Sequence, residues 1–154
     1  MKKVLALLLL LGCVLAVNAA EEKKMSAGIG LEWNMDSRHN FAGGTLLTFD
    51  YKLPRFASLG FFLAGSSNFR NTHVIEPAFV FRAYLREYEF AGFFFQNELG
   101  ISFITEDGDL TLRPLVGFGA GYRFLLGQSF YVEPYGRLGY PFAFGLGVIG
   151  GIRF

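Results

Sequence analysis

From Ser26 to the C-terminus, apolar and polar positions alternate along the chain, the period of a β-strand with two unlike faces. Ala27, Ile29, Leu31 and Trp33 face one way, and Gly28, Gly30, Glu32 and Asn34 the other. Similar segments follow at 41–52, 58–64, 75–84, 92–103, 112–124 and 130–140. The last sets Phe142, Phe144, Leu146, Val148, Gly150, Ile152 and Phe154 against Ala143, Gly145, Gly147, Ile149, Gly151 and Arg153. No helical period competes over a comparable window, so the pattern predicts eight strands. Most are longer than the about 5–6 residues usual in globular sheets. They match the about 9–11 that a tilted strand needs to cross a bilayer.

Short segments with turn composition separate the strands. One set comprises Asp36 to Asn40, Gly65 to His73, Thr105 to Asp109 and the region of Pro141. The other comprises Leu53-Pro54-Arg55, Arg86-Glu87-Tyr88 and Leu126 to Ser129. With both termini on the periplasmic side of a membrane, the first set faces outward and the second the periplasm. Pro77, Pro114 and Pro134 fall inside predicted strands. A proline removes a ladder donor, so a bulge or strand end is expected at each.

Alternation alone fits two barrels, and polarity separates them. A soluble barrel keeps its apolar face inside, whereas a membrane barrel turns it toward lipid. Here the apolar face is almost free of charge, while the opposite face mixes glycine, bulky residues and charges of both signs. That opposite face holds too few polar groups for a water-exposed exterior. The 19 Phe, 7 Tyr and 20 Gly of the chain fit the same reading. The expected fold is a closed eight-stranded antiparallel up-and-down transmembrane β-barrel. Closure leaves no unpaired backbone edge in hydrocarbon. Trp33 and Tyr140 are then expected in one interfacial aromatic girdle, and Tyr51, Tyr122, Phe130 and Phe154 in the other.

The N-terminus adds a compartment. Lys2 and Lys3 precede an apolar run from Val4 to Val17 and then Asn18-Ala19-Ala20, the order of a secretory signal peptide. Leu10-Leu11-Gly12-Cys13 has the form of a lipoprotein box, but the apolar run continues beyond it. The expected organisation is a signal peptide at 1–20, a short polar tail at 21–25 and a barrel at 26–154. With 14 Lys and Arg against 13 Asp and Glu and no basic block, nucleic acid is not an expected partner.

The inward positions carry Glu32, Asp50, Lys52, Glu76, Arg82, Glu98, Arg113, Arg123, Glu133, Arg137 and Arg153. An eight-stranded lumen is only wide enough for side chains, so these charges must pair. A salt-bridged core is the reading favoured; a narrow polar path is the alternative. Asp36, Ser37 and His39 have the residue types of a hydrolytic triad, but they crowd one short turn where such residues are ordinary. His39 and His73 are too few to argue a metal. Gly145-Leu146-Gly147-Val148-Ile149-Gly150 has the spacing of a dinucleotide fingerprint, but no helix can follow it. No cofactor is expected.

The final strand, alternating through Val148 and Ile152 to a terminal Phe154, resembles the C-terminal signature of bacterial outer-membrane barrels. The mature chain as a whole is similar to the small barrel superfamily that includes outer-membrane protein X and the opacity proteins. The resemblance implies outer-membrane lipid, periplasmic chaperones and the barrel assembly machinery as partners, with Phe154 and Ile152 as contacts of that machinery. The short separators depart from the long variable outer loops of the opacity proteins, which counts against an adhesin role. The expectation is a monomeric, non-catalytic outer-membrane protein with a structural or surface role. A narrow channel for small or hydrophobic solutes is the runner-up, and a lipid-modifying enzyme the third reading.

Overall fold

The computed structural model describes residues 23–36, 40–85 and 90–154. The expected signal peptide at 1–20, with Cys13 in it, the Ser37–His39 part of the first turn and Arg86-Glu87-Tyr88 lie outside them. Eight strands follow in order: β1 (Met25–Asp36), β2 (Phe41–Lys52), β3 (Ala57–Ser67), β4 (Thr72–Tyr84), β5 (Gly92–Glu106), β6 (Asp109–Leu126), β7 (Phe130–Tyr140) and β8 (Phe142–Arg153). Each pairs antiparallel with the next, and β1 pairs with β8 to close the barrel. At the seam, Met25 and Phe154 exchange two backbone hydrogen bonds of 2.9 Å. Lys23 ties this lower end of the barrel, donating to the Gln128 carbonyl at 2.8 Å and to Ser129 Oγ at 2.5 Å.

The alternation fixes which side chains enter the lumen. Phe79 and Leu99 are each 67% exposed on the outer wall, whereas inward Arg82 and Glu133 are 2% and 0% exposed. Trp33, Tyr51, Tyr122 and Tyr140 all stand exposed on the outer wall, as do Val148 and Ile152. A soluble monomer rarely shows a contiguous apolar patch beyond a few hundred Å²; here apolar side chains cover the wall from β1 to β8.

The many inward glycines lie beneath large side chains. A Cβ on Gly147 would sit 2.5 Å from the Tyr135 ring, and one on Gly117 would sit 2.8 Å from Glu98 Oε2. A Cβ on Gly145 would sit 2.5 Å from Asn34 Oδ1. Glycine on one strand is therefore the space that a charged or aromatic side chain of another strand fills.

Four sequence expectations change. Pro77 and Pro134 cause neither a bulge nor a strand end. Pairing lapses beside them, between Ile75 and Ala78 on the β5 side and between Tyr135 and Val132 on the β6 side, and then resumes in the same register. Pro114 also sits within a strand, but where β6 has outrun β7, whose first partner on β6 is Val116. The separator at 105–109 shrinks to the two-residue turn Asp107-Gly108, both at positive φ (52° and 95°), between the paired Glu106 and Asp109. Asp-Gly suits such a primed hairpin turn because it tolerates positive φ at both places. Finally, Phe142 faces inward. The β1–β8 register shifts between Met35 and Asp36, so Phe144 opposes Met35 while Phe142 opposes Asp36. That single extra residue, Ala143, turns Phe142 into the lumen, where it is buried.

The long β5–β6 hairpin rises above the rest of the upper rim. Residues 109–115 of β6 pair with β5 alone. On its other flank β5 pairs with β4 as far as Thr72. Asn71 buttresses the tip, its Nδ2 donating to Asp107 Oδ1 at 2.9 Å and its carbonyl accepting from the Asp107 N–H at 3.1 Å.

Candidate functional site

Inside the barrel, the charges form two layers. In the lower layer Arg82 (β4) and Arg123 (β6) face Asp50 (β2) and Glu133 (β7). Arg82 Nη1 lies 2.6 Å from Asp50 Oδ2, and its Nη2 lies 3.3 Å from Glu133 Oε1. Arg123 Nε lies 2.5 Å from Glu133 Oε2, and its Nη2 lies 3.2 Å from Asp50 Oδ2. Ser26 Oγ accepts from Arg123 Nη1 at 3.2 Å and donates to Asp50 at 3.3 Å. Two cations meet two anions, each ion touching both of the opposite sign. All four are buried, so the pairing offsets a desolvation cost of several kcal/mol per ion.

The upper layer is unequal. Among the described residues Arg137 (β7) alone serves three carboxylates: Glu32 of β1 at 2.6 Å, Glu76 of β4 at 2.9 Å and Glu98 of β5 at 2.7 Å. Neutral donors serve the remaining oxygens: the Tyr135 hydroxyl donates to Glu32 Oε2, Ser102 Oγ reaches Glu76 Oε1 at 2.8 Å and Gln96 Nε2 reaches Glu98 Oε1 at 2.6 Å. Asn34 Nδ2 joins Arg137 on Glu32 Oε1 at 2.6 Å. Gln96 joins the two layers, because its Oε1 also accepts from Arg82 Nε at 3.1 Å.

Aromatic rings enclose both layers. The Arg137 guanidinium lies 3.9 Å from the Phe142 ring centroid and 5.0 Å from that of Phe62. The Arg123 guanidinium lies 4.2 Å from Tyr131, 4.6 Å from Phe90 and 5.6 Å from Tyr84, and Arg82 lies 5.2 Å from Phe94. Such contacts favour a desolvated cation by about 2 kcal/mol or more. They also fill the cross-section. Phe142 stands toward the upper end and Phe90, turned inward at positive φ (48°), toward the lower.

Eight of the eleven charges assigned to the lumen from sequence thus meet in these layers: Glu32, Asp50, Glu76, Arg82, Glu98, Arg123, Glu133 and Arg137. Arg113 and Arg153 do not. Arg113 has the inward parity but sits on the raised part of β6, exposed, with Nη1 3.4 Å from the Tyr140 hydroxyl. Arg153 is half-buried at the lower rim, where Nη2 donates to the Gln128 carbonyl at 3.1 Å. Lys52, also read as inward, is half-buried at the end of β2. Alternation gives the face of a residue but not its height, and height is what sets these three apart. Asn34, Gln96 and Ser102 are legible as inward residues, though not as partners of the carboxylates. Phe90 lies in a turn, where no alternation speaks for it. Among the described residues no cluster of three or more metal-ligating side chains is present. His73 is exposed on the upper rim.

No protein-family model matches the chain, and comparison with curated proteins finds no match. Solved structures do resemble it in fold. Ail, the attachment invasion locus protein of Yersinia pestis, superposes with a TM-score of 0.58 at 14% identity, over 87% of this chain and 100% of Ail. Neisserial surface protein A gives 0.56 at 8% identity, covering 86% of this chain and 96% of its own. The N-terminal β-barrel domain of Pseudomonas aeruginosa OprF gives 0.54 at 11% identity, covering 84% and 97%.

Proposed function

We propose that this chain is an integral protein of a bacterial outer membrane, sealed along its lumen, that acts at the cell surface and not as a pore or an enzyme. One observation carries the reading: the barrel is inside out, with its apolar side chains exposed on the wall and its charges buried and paired within. Water would penalise such a wall, whereas hydrocarbon accepts it and requires the closed backbone pairing seen here. Ion pairs and stacked rings occupy the lumen, which counts against the channel alternative. In this orientation the lower end faces the periplasm. Val148, Ile152 and Phe154 then form the outward face of the closing strand that the assembly machinery would meet.

The raised β4–β6 sheet is the part best placed to act outside the cell. Among the described residues its β6 edge is unpaired from Asp109 to Leu115, and it carries exposed Leu110 and Leu112. An open edge of this kind is a template for a partner in extended conformation. Ail is an attachment invasion locus protein, and attachment agrees with a surface role, although a shared fold carries no function by itself.

Location and orientation are tested together by Thr111→Cys and Gln128→Cys in the mature chain. In intact cells a membrane-impermeant maleimide should label the first and spare the second, with both proteins staying in the membrane after carbonate extraction. Labelling of Gln128→Cys alone would reverse the orientation. Release by carbonate would replace the membrane barrel with a secreted soluble one.

A further inference from the structure

Beneath the upper rim, the outer wall between β1 and β3 is hollowed. Most outward positions carry large side chains, but the row from Trp33 crosses Gly43 to Ser67, and the row from Leu31 crosses Thr45 to Gly65. The result is a cleft of about 540 Å³ lined mainly by Leu31, Trp33, Phe41, Thr45 and Phe69 over Gly43, with Glu32, whose side chain is buried in the lumen, also bordering it; it falls within the about 300–1,000 Å³ of small-molecule sites.

Phe69 closes its upper side and is held there at a cost. It lies in the β3–β4 turn at φ 59°, rare for a bulky residue. Asn68 Oδ1 accepts the backbone N–H groups of Arg70, Asn71 and Thr72 at 3.0, 3.2 and 3.0 Å, and Ser67 Oγ accepts that of Phe69 at 2.9 Å. The turn so fixed leaves the ring 84% exposed, over the position of Gly43. An exposed ring contributes little to folding, so a turn that directs one over the cleft points to an apolar occupant there.

We infer that this cleft seats one acyl chain of an outer-leaflet membrane lipid, held between Trp33 and Phe69 for longer than the lipids that merely surround the barrel. The occupant follows from continuity. The cleft opens sideways onto the same apolar wall, running down to Leu47, Phe61 and Leu63, so a chain reaches it from the bilayer without crossing water. The inference rests on the membrane reading above and adds a defined site to it.

Trp33 is the sole tryptophan of the chain, so its fluorescence reports on the cleft and on the lipid against the wall beside it. The mature protein is refolded into dioleoylphosphatidylcholine vesicles in which part of the lipid carries brominated chains, which quench tryptophan on contact. Gly43→Leu fills the cleft, and its Cβ is accommodated there, the nearest atoms being those of the Phe69 ring at 3.5 and 3.7 Å and Trp33 at 3.8 Å. Gly150→Leu is the control, on an open part of the wall of β8 with nothing within 4 Å. Heat-dependent gel mobility confirms folding of each. Wild type and Gly150→Leu should be equally quenched, and Gly43→Leu should lose the share of the quenching that the chain in the cleft supplies, keeping only that of the surrounding lipid. Equal quenching in all three would overturn the acyl site and leave the membrane barrel standing. Folded protein that stays out of the vesicles, unquenched in every variant, would overturn the membrane reading itself.

Discussion

The two charge layers occupy the same lumen under the same constraint and solve it differently. Below, Arg82 and Arg123 match Asp50 and Glu133 ion for ion. Above, Arg137 stands alone among Glu32, Glu76 and Glu98, and hydroxyl and amide donors complete the carboxylates. A matched layer loses a little wherever it is cut. In the unmatched layer three carboxylates depend on one guanidinium. The contrast shows that closing a narrow barrel requires each buried charge to be met by a partner or a dipole, and does not require equal numbers of each sign.

The largest effect should come from Arg137→Met. It leaves three buried carboxylates without a cation, a loss of about 3–5 kcal/mol for breaking a buried pair, read from urea unfolding in lipid vesicles at neutral pH. Arg123→Met should cost less, since Arg82 still reaches both Asp50 and Glu133. Equal losses would erase the distinction between the layers.

Smaller effects sharpen it. Asp50→Asn leaves two guanidiniums to Glu133 alone and should cost about 1–3 kcal/mol. Glu76→Gln keeps a carbonyl oxygen for Arg137 and gives its amide to the Ser102 hydroxyl while relieving the excess of negative charge. Its stability should stay within about 0.5 kcal/mol of wild type or rise. A Glu76→Gln loss as large as that of Asp50→Asn would mean that the upper layer is not over-supplied with carboxylates.

Much of this was legible in the sequence because a barrel strand repeats one rule. Inward and outward sets followed from parity alone, and so did the eight strands. Parity fails where the chain adds a residue: Ala143 reverses Phe142, the ring stacked on Arg137. It is also silent on height, so Arg113 on the raised hairpin looked like its neighbours in the lumen. Turn length was hidden too. Thr105 to Asp109 has loop composition, yet the Asp107-Gly108 turn lets both strands run on to its edges. What remained out of reach was which partner each charge would choose, a matter of stagger between strands distant in sequence.

The central claim is a barrel sealed by these layers, and ion conductance across a planar bilayer tests it most directly. The mature protein is refolded, its closure is verified by heat-dependent gel mobility, and it is inserted at neutral pH. No discrete conductance steps should appear above the bare bilayer. Reproducible steps from demonstrably folded protein would contradict the account and make the Arg137 layer the gate of a channel.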